Sequence, residues 1–293
     1  MNVRDRWRQH LPDFDPFSTT RLEQRRTSNA VRRLSRDHPA MGYDHLPMRN
    51  CSEVSPCRGG LCPRCVRQLR INLLDFLAAN GLHRRSWHFV TVRVAGWTKA
   101  PGDCKPFGRL RNQRPVLALM AKFRRMGINN LLIFGSIETV YTTVSNVPAG
   151  KPFHLHLMIS GASEEEISEA VNTSLRLDMK VPRPYEIQSV LMTEEDFFRA
   201  ASYAFKQPLA KKSKASPDDY GVRQFLNPAE RRELIRNYGV HGWRGRLILF
   251  GMRCENGPFR LIADLSATAK SALSSSSRKQ PFRQQRQPPR GQG

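Results

Sequence analysis

Apolar positions recur with short, regular periods through the middle of the chain and thin out at both ends. Residues 86–95 (SWHFVTVRVA) alternate as a strand does, with Phe89, Thr91 and Arg93 on one side and His88, Val90 and Val92 on the other. Residues 131–143 (LLIFGSIETVYTT) and 152–160 (PFHLHLMIS) read as two further strands. The turn sequence SNVPAGK between them predicts an antiparallel hairpin. Centred near Pro148, that hairpin sets Glu138 opposite Met158, on the face that carries His154 and His156. Another strand is expected at 185–191. Helical spacing marks 64–80, 115–127, 163–177, 193–207 and 227–239. Ser163 with Glu166, Thr193 with its acidic run, and Asn227 followed by Pro228 are start signals for the last three. The order of elements predicts an α+β fold, a central antiparallel sheet with helices packed on it.

The ends differ from this middle. Residues 1–45 are basic and irregular and read as a solvated arm with a short helix near 19–36. From about Ser266 the chain is Ser, Arg, Gln, Pro and Gly, which cannot bury apolar surface and is expected to be disordered. Four segments follow: a basic arm over 1–45, a cysteine-rich segment and helix over 46–82, a catalytic-type domain over 83–262, and a basic tail over 263–293. Residues 208–220 read as a polar loop.

Forty-eight Lys and Arg against 25 Asp and Glu leave a formal charge of +23 on 293 residues. A folded chain this basic most often meets nucleic-acid phosphates. Arg58, Arg64 and Arg67, with Arg70, Lys211, Lys212, Arg244 and Arg246, are the basic residues expected to face phosphate. No window approaches the ~18 apolar residues of a membrane span, and the opening residues carry no apolar leader core. Cytoplasmic localisation, no membrane partner and reduced cysteines are the expectation.

Two groups of residues suggest metal chemistry. Cys51, Cys57, Cys62 and Cys65 lie within fifteen residues (CSEVSPCRGGLCPRC). Four thiolates at this spacing suit a closed structural Zn²⁺ site, with His45 or a more distant residue as alternative to one of the four. Cys104 and Cys254 stand apart. His154 and His156 project from one face of a strand and form half of a divalent-metal site, toward which Glu138 can lean.

Taken in order, FVTV (89–92), HLHL (154–157) and YAFK (203–206) resemble the three motifs of the HUH endonucleases, and more narrowly the replication initiators of small rolling-circle plasmids and phages. Cys57-Arg58-Gly-Gly-Leu-Cys62-Pro63-Arg64-Cys65 is similar to a cysteine string that many plasmid initiators carry upstream, and Glu138-Thr139 to a pair before their histidines. The resemblance spans roughly residues 51–253. It implies a Mg²⁺ or Mn²⁺ ion on His154 and His156, with Glu138 as third ligand. It implies Tyr203 as the nucleophile on single-stranded or hairpin origin DNA, giving a 5′-phosphotyrosine and a free 3′-OH, and Lys206 as the cation that positions the phosphate. A host replication helicase or polymerase is an implied partner. Where some relatives place a glutamate one turn before the tyrosine, this chain has Arg199, with Glu195 two turns before. Tyr220 falls in a loop.

A non-catalytic, zinc-stabilised nucleic-acid-binding protein accounts equally well for the charge and cysteines. An HUH transposase or relaxase uses the same constellation, although relaxases usually carry three clustered histidines.

Overall fold

The alternation around the two histidines builds a long central strand with a partner on each side. The computed structural model describes residues 17–43, 46–52, 55–57, 61–106, 114–128, 130–139, 141–145, 147–189, 193–205, 211–215, 222–239, 245–254 and 258–262. Strand β4 (Val147–Ser160) pairs antiparallel with β1 (His88–Lys99) along one edge. On its other edge it pairs with β2 (Leu132–Thr139) and then with β3 (Tyr141–Val144). Strand β5 (Tyr185–Ser189) lies outside β1, β6 (Lys211–Lys214) and β7 (Val222–Gln224) lie beyond β3, and β8 (Leu247–Phe250) pairs with β2. The sheet is antiparallel except at β3·β6. A short ribbon of β9 (Met252–Cys254) and β10 (Phe259–Leu261) stands beside it. The α+β class with a mostly antiparallel sheet follows.

Each sheet face is covered. Val90, Val92 and Val94 of β1, Ile133 and Ile137 of β2, and Leu155, Leu157 and Ile159 of β4 share one face and one apolar core. That core takes in α1 (Phe17–Asp37), α4 (Arg114–Arg125), α5 (Glu164–Ser174) and α7 (Pro228–Tyr238) through Val31, Phe123, Val171 and Ile235. On the opposite face Leu132, Phe134 and Met158 pack against α3 (Pro63–Ala79) and α6 (Glu194–Tyr203) through Leu73 and Phe198, and against Phe205 just past α6. Helices α5 and α7 start on full capping boxes, Ser163 with Glu166 and Asn227 with Glu230, and α6 starts on Thr193. The one-turn helix α2 (Leu46–Arg49) precedes the cysteine segment.

Three expectations change. The segment read as a solvated arm is, over 17–37, a packed helix. Thr27, Val31 and Leu34 are almost fully buried, and Arg231 of α7 donates from Nη1 to Glu23 Oε2 at 2.6 Å inside the interface. More than half of the buried stripe of α1 is polar (Glu23, Gln24, Thr27, Ser28, against Ala30, Val31, Leu34), so it leaves little hydropathy signal. The polar segment 208–220 contains β6. Its Lys-Lys-Ser-Lys sequence lacks apolar alternation and is held by backbone pairing with β3 and β7. The hairpin turns earlier than Pro148, just after Val144, with Ser145 in the left-handed region at φ 47°. Glu138 therefore pairs with His154 rather than Met158. The segments at 1–16 and 263–293, His45 and Tyr220 lie outside the described residues.

Glu23 and Arg231 form a largely desolvated pair, with side chains 9% and 3% exposed. Removing one partner strands a buried charge at a cost of about 3–5 kcal/mol, whereas replacing both with apolar residues is near neutral. Denaturant unfolding is expected to show Arg231→Met destabilised by about that amount, and Glu23→Leu/Arg231→Met largely restored. Unchanged stability in Arg231→Met would mean that α1 is not docked through this pair.

Candidate active site

The second face of the sheet changes character along its strands. At Phe134 and Met158 it is apolar and covered by α3 and α6. Two residues further along β2 and back along β4 the same face carries Ser136, Glu138, His156 and His154, paired Ser136–His156 and Glu138–His154 across the strands. On the opposite edge of β4, Thr91 of β1 pairs with His156. Glu138 and His156 are almost fully buried, and His154 is half-buried.

One ligand atom from each of Glu138, His154 and His156 lies within 4.8 Å of the others, and His156 Nε2 is 3.8 Å from Glu138 Oε2. Two atoms each bonded to one divalent cation at ~2.1 Å are at most ~4.2 Å apart. The triad thus fits a cation with a small closure. A carboxylate with two imidazoles suits Mn²⁺ at least as well as the all-oxygen preference of Mg²⁺ allows. Were a cation to bind Nε2, the imidazole proton would sit on Nδ1, where Thr91 Oγ1, 3.1 Å away, would accept it. Thr91 thereby holds the ring plane in either tautomer. Gly135 sits where β2 passes His156: a Cβ there would fall 2.0 Å from the His156 carbonyl oxygen, so glycine is required for the two strands to close.

Charge around Glu138 is balanced from beneath. Arg246 is fully buried, donates from Nη1 to the Ile137 carbonyl at 3.1 Å, and lies 4.0 Å from Glu138 Oε1. Burial draws its guanidinium below the usual range, opposed by Tyr238 and Glu138. Its guanidinium carbon is 5.5 Å from the Tyr238 ring centroid, and burial pushes that phenol up to about 12, so Tyr238 stays neutral.

Tyr203 closes the site. It is the last residue of α6 and is 47% exposed; its ring stands edge-on to His156 with centroids 5.3 Å apart. Phe89 stacks on His156 at 5.4 Å and meets Tyr203 at 5.8 Å. The end of α6 is tied down twice: Ser136 Oγ donates to the Ala204 carbonyl at 2.7 Å, and Arg70 Nη2 donates to Ser202 Oγ at 2.6 Å. Arg199 forms an exposed ion pair with Glu195 at 2.7 Å.

The four thiols of Cys51, Cys57, Cys62 and Cys65 also gather, with one Sγ from each inside 4.8 Å; Cys65 lies 3.7 Å from Cys51 and 3.6 Å from Cys57. Hydrogen bonding with Cys57 and burial push the Cys65 thiol up to about 12, and hydrogen bonding with Cys57 and Cys65 also pushes the Cys62 thiol up. A cluster this crowded cannot hold several thiolates by itself, and its four sulfurs could hold a divalent cation such as zinc.

The arginines and lysines expected at phosphate scatter. Arg246 is inside, beneath Glu138, and Arg67 and Arg70 are buried on α3. Arg64 Nη1 donates to the Cys51 carbonyl at 2.8 Å, and Lys211 Nζ pairs with Glu230 at 2.7 Å, both half-buried. Arg67, Arg70 and Arg246 therefore brace the fold instead of presenting an outer surface. Long side chains on a packed helix and at the start of a core strand were the reason. Lys212 is half-buried on β6. Lys206, Arg58 and Arg244 lie outside the described residues. The sequence reading gave Phe89 and Thr91 no contact with the site. The signal was present, since both share the parity of His154 and His156 once β1 is set beside β4.

Two outcomes are expected. Thr91→Val should weaken Mn²⁺ binding by about 10–100-fold, read by calorimetric titration, because the imidazole loses its acceptor; unchanged affinity would remove Thr91 from the site. Metal analysis should find one zinc per chain, lost in Cys62→Ser, and chelation should lower the melting temperature by at least about 5 °C. No known family model, curated protein or solved structure matches the chain.

Proposed function

We propose that the protein is a metal-dependent nicking and joining enzyme for single-stranded DNA, acting through a covalent bond to Tyr203 in the manner of the HUH rolling-circle replication initiators that its motifs resemble. The observation that carries this reading is the placement of the Tyr203 ring 5.3 Å from His156, at the edge of the Glu138–His154–His156 cluster. An exposed phenol beside a largely buried His–His–Glu group is an unusual expense for a purely structural site. The +23 charge supports a nucleic-acid substrate.

Glu138, His154 and His156 would hold a Mn²⁺ or Mg²⁺ ion. Such an ion supplies charge neutralisation at the scissile phosphate and favours the phenolate. Tyr203 Oη bonds to phosphorus as the bond from phosphorus to the 3′-oxygen breaks. The phenolic proton leaves to solvent and the departing oxygen takes one up. The products are a 5′-phosphotyrosine and a free 3′-OH. Because one phosphoester replaces another, attack by a 3′-OH reverses the step without ATP. Phe89 and the tied end of α6 hold the phenol in place, which cuts the entropy of reaching the attack geometry. Arg199, engaged with Glu195, offers no carboxylate to activate water one turn before Tyr203. The adduct should therefore outlast exposure to water.

The test is incubation with Mn²⁺ and a pool of single-stranded oligonucleotides, followed by a denaturing gel and mass spectrometry. A covalent adduct mapping to Tyr203 is expected. Tyr203→Phe and His156→Ala should each reduce adduct formation by ~10³-fold or more. The adduct should persist in buffer and be released by an oligonucleotide with a free 3′-OH. An undiminished adduct in Tyr203→Phe would end this assignment; absence of any adduct alongside tight DNA binding would favour the non-catalytic reading.

A further inference from the structure

A second basic site lies apart from Tyr203. The face of α1 that does not enter the core carries Arg21, Arg25 and Arg32, at helical spacing. With Arg49, from α2, and Arg64, from the start of α3, they line a cleft of about 510 Å³. Its remaining lining is polar, Ser28 and Asn29 among it, apart from Cys51. No acidic and no aromatic side chain lines it among the described residues. The floor is fixed: buried Gln24 donates from Nε2 to the carbonyls of Met48 and Cys51 at 2.8 and 3.1 Å, and Arg64 donates to the same Cys51 carbonyl.

We propose that this cleft binds the phosphate backbone of duplex DNA. Five guanidinium groups around one cavity repel one another unless an anion lies among them. A compact anion meets one or two of them. The three arginines on α1 extend over eleven residues, about 16 Å of helix, which matches several phosphates of a strand rising ~3.4 Å each. Single-strand sites add aromatic platforms on which bases stack. Among the described residues this lining has none, and it offers hydrogen-bond donors suited to phosphate and sugar instead. The cleft therefore reads backbone and not bases, which is the surface a paired stem presents. Helix α3 connects it to the site above: Arg64 stands in its first turn, and Arg70, six residues or about 9 Å along, donates to Ser202 beside Tyr203. A stem in the cleft thus lies near the helix that ends at the tyrosine. The proposal concerns binding and stands whether or not Tyr203 cuts.

The experiment uses the full chain and fluorescence anisotropy with a blunt duplex and with a single strand of the same length, across a salt series. Arg21→Gln/Arg25→Gln/Arg32→Gln replaces exposed side chains; circular dichroism checks that its fold is intact. Its duplex affinity should fall by at least ~10-fold, and the slope of log affinity against log salt by about 2.7, or ~0.9 for each lost phosphate contact. Arg176→Gln/Lys180→Gln/Arg183→Gln removes equal charge from exposed positions elsewhere and should leave the slope near that of the native protein. Tyr203→Phe should bind duplex normally. The triple α1 variant should still form the Tyr203 adduct with saturating single strand, which separates failure here from failure of the nicking assignment. An unchanged duplex slope in the α1 variant, or an equal loss in the control, would overturn the proposal. So would a loss confined to single strand, or displacement of duplex by inorganic phosphate beyond that by chloride at equal ionic strength.

Discussion

The pairing of β4 between β1 and β2 is the constraint on which the rest depends. Its register sets Thr91, His156 and Ser136 in one row, and brings Glu138 beside His154 in the next. Side chains on a sheet alternate faces, so a slip of one residue would send both imidazoles into the apolar core and bring Leu155 and Leu157 out. That core is what forbids the slip. Leu155, Leu157 and Ile159 are fully buried under the helices of the other face, and exposing three such side chains would cost roughly 1.5–3 kcal/mol each. The packing that stabilises one side of the strand therefore aims the polar groups on its other side. Gly135 serves the same end, since only a residue without a Cβ lets β2 pass the His156 carbonyl.

From that row the remaining parts of the site follow by contact. Ser136 takes its place from the sheet and donates its hydroxyl to the Ala204 carbonyl, at the C-cap of α6. Arg70 does the same from α3, at Ser202. These two bonds bracket Tyr203, so the position of the phenol is read from the sheet and from α3 together. Arg246 enters from β8's start and places a cation under Glu138 without reaching solvent. A buried carboxylate near a buried guanidinium is costly as a device for stability alone. Here the pair sets a carboxylate in a desolvated position beside two imidazoles, a group that could hold a metal ion.

Much of this was legible in the chain. The period-two stretches, the caps at Ser163, Thr193 and Asn227, and the grouped cysteines all carry local signals, and they appear as strands, helix starts and a thiol cluster. The hairpin centre was misplaced, and Glu138 moved from opposite Met158 to opposite His154. The face assignment survived because the displacement was four residues, an even number, and parity alone decides which face a residue occupies. What stayed hidden was set by tertiary contact. The buried stripe of α1 is more than half polar, and its docking depends on Arg231, more than two hundred residues away. Strand β6 is lysine-rich and exists because β3 and β7 offer it backbone partners. The side chains of Arg67, Arg70 and Arg246 carry the same charge as any surface arginine, and sequence has no sign that marks which will turn inward.

Those inward arginines change how the charge of the molecule is understood. A formal +23 suggests one broad basic surface, yet three of the arginines expected there are structural. What they support is placed near the exposed ones: Arg70 anchors the tyrosine helix, while Arg64, six residues before it on α3, shares the cleft with the arginines of α1. One helix thus carries internal bracing in its middle and a cleft-lining arginine at its start. A phosphate backbone resting on α1 and a strand end approaching Tyr203 would be registered against each other by a rigid element, not by a loop. Under the two proposals, geometry fixed in that way would let binding energy gained along a stem be used in holding one chosen phosphate at the tyrosine.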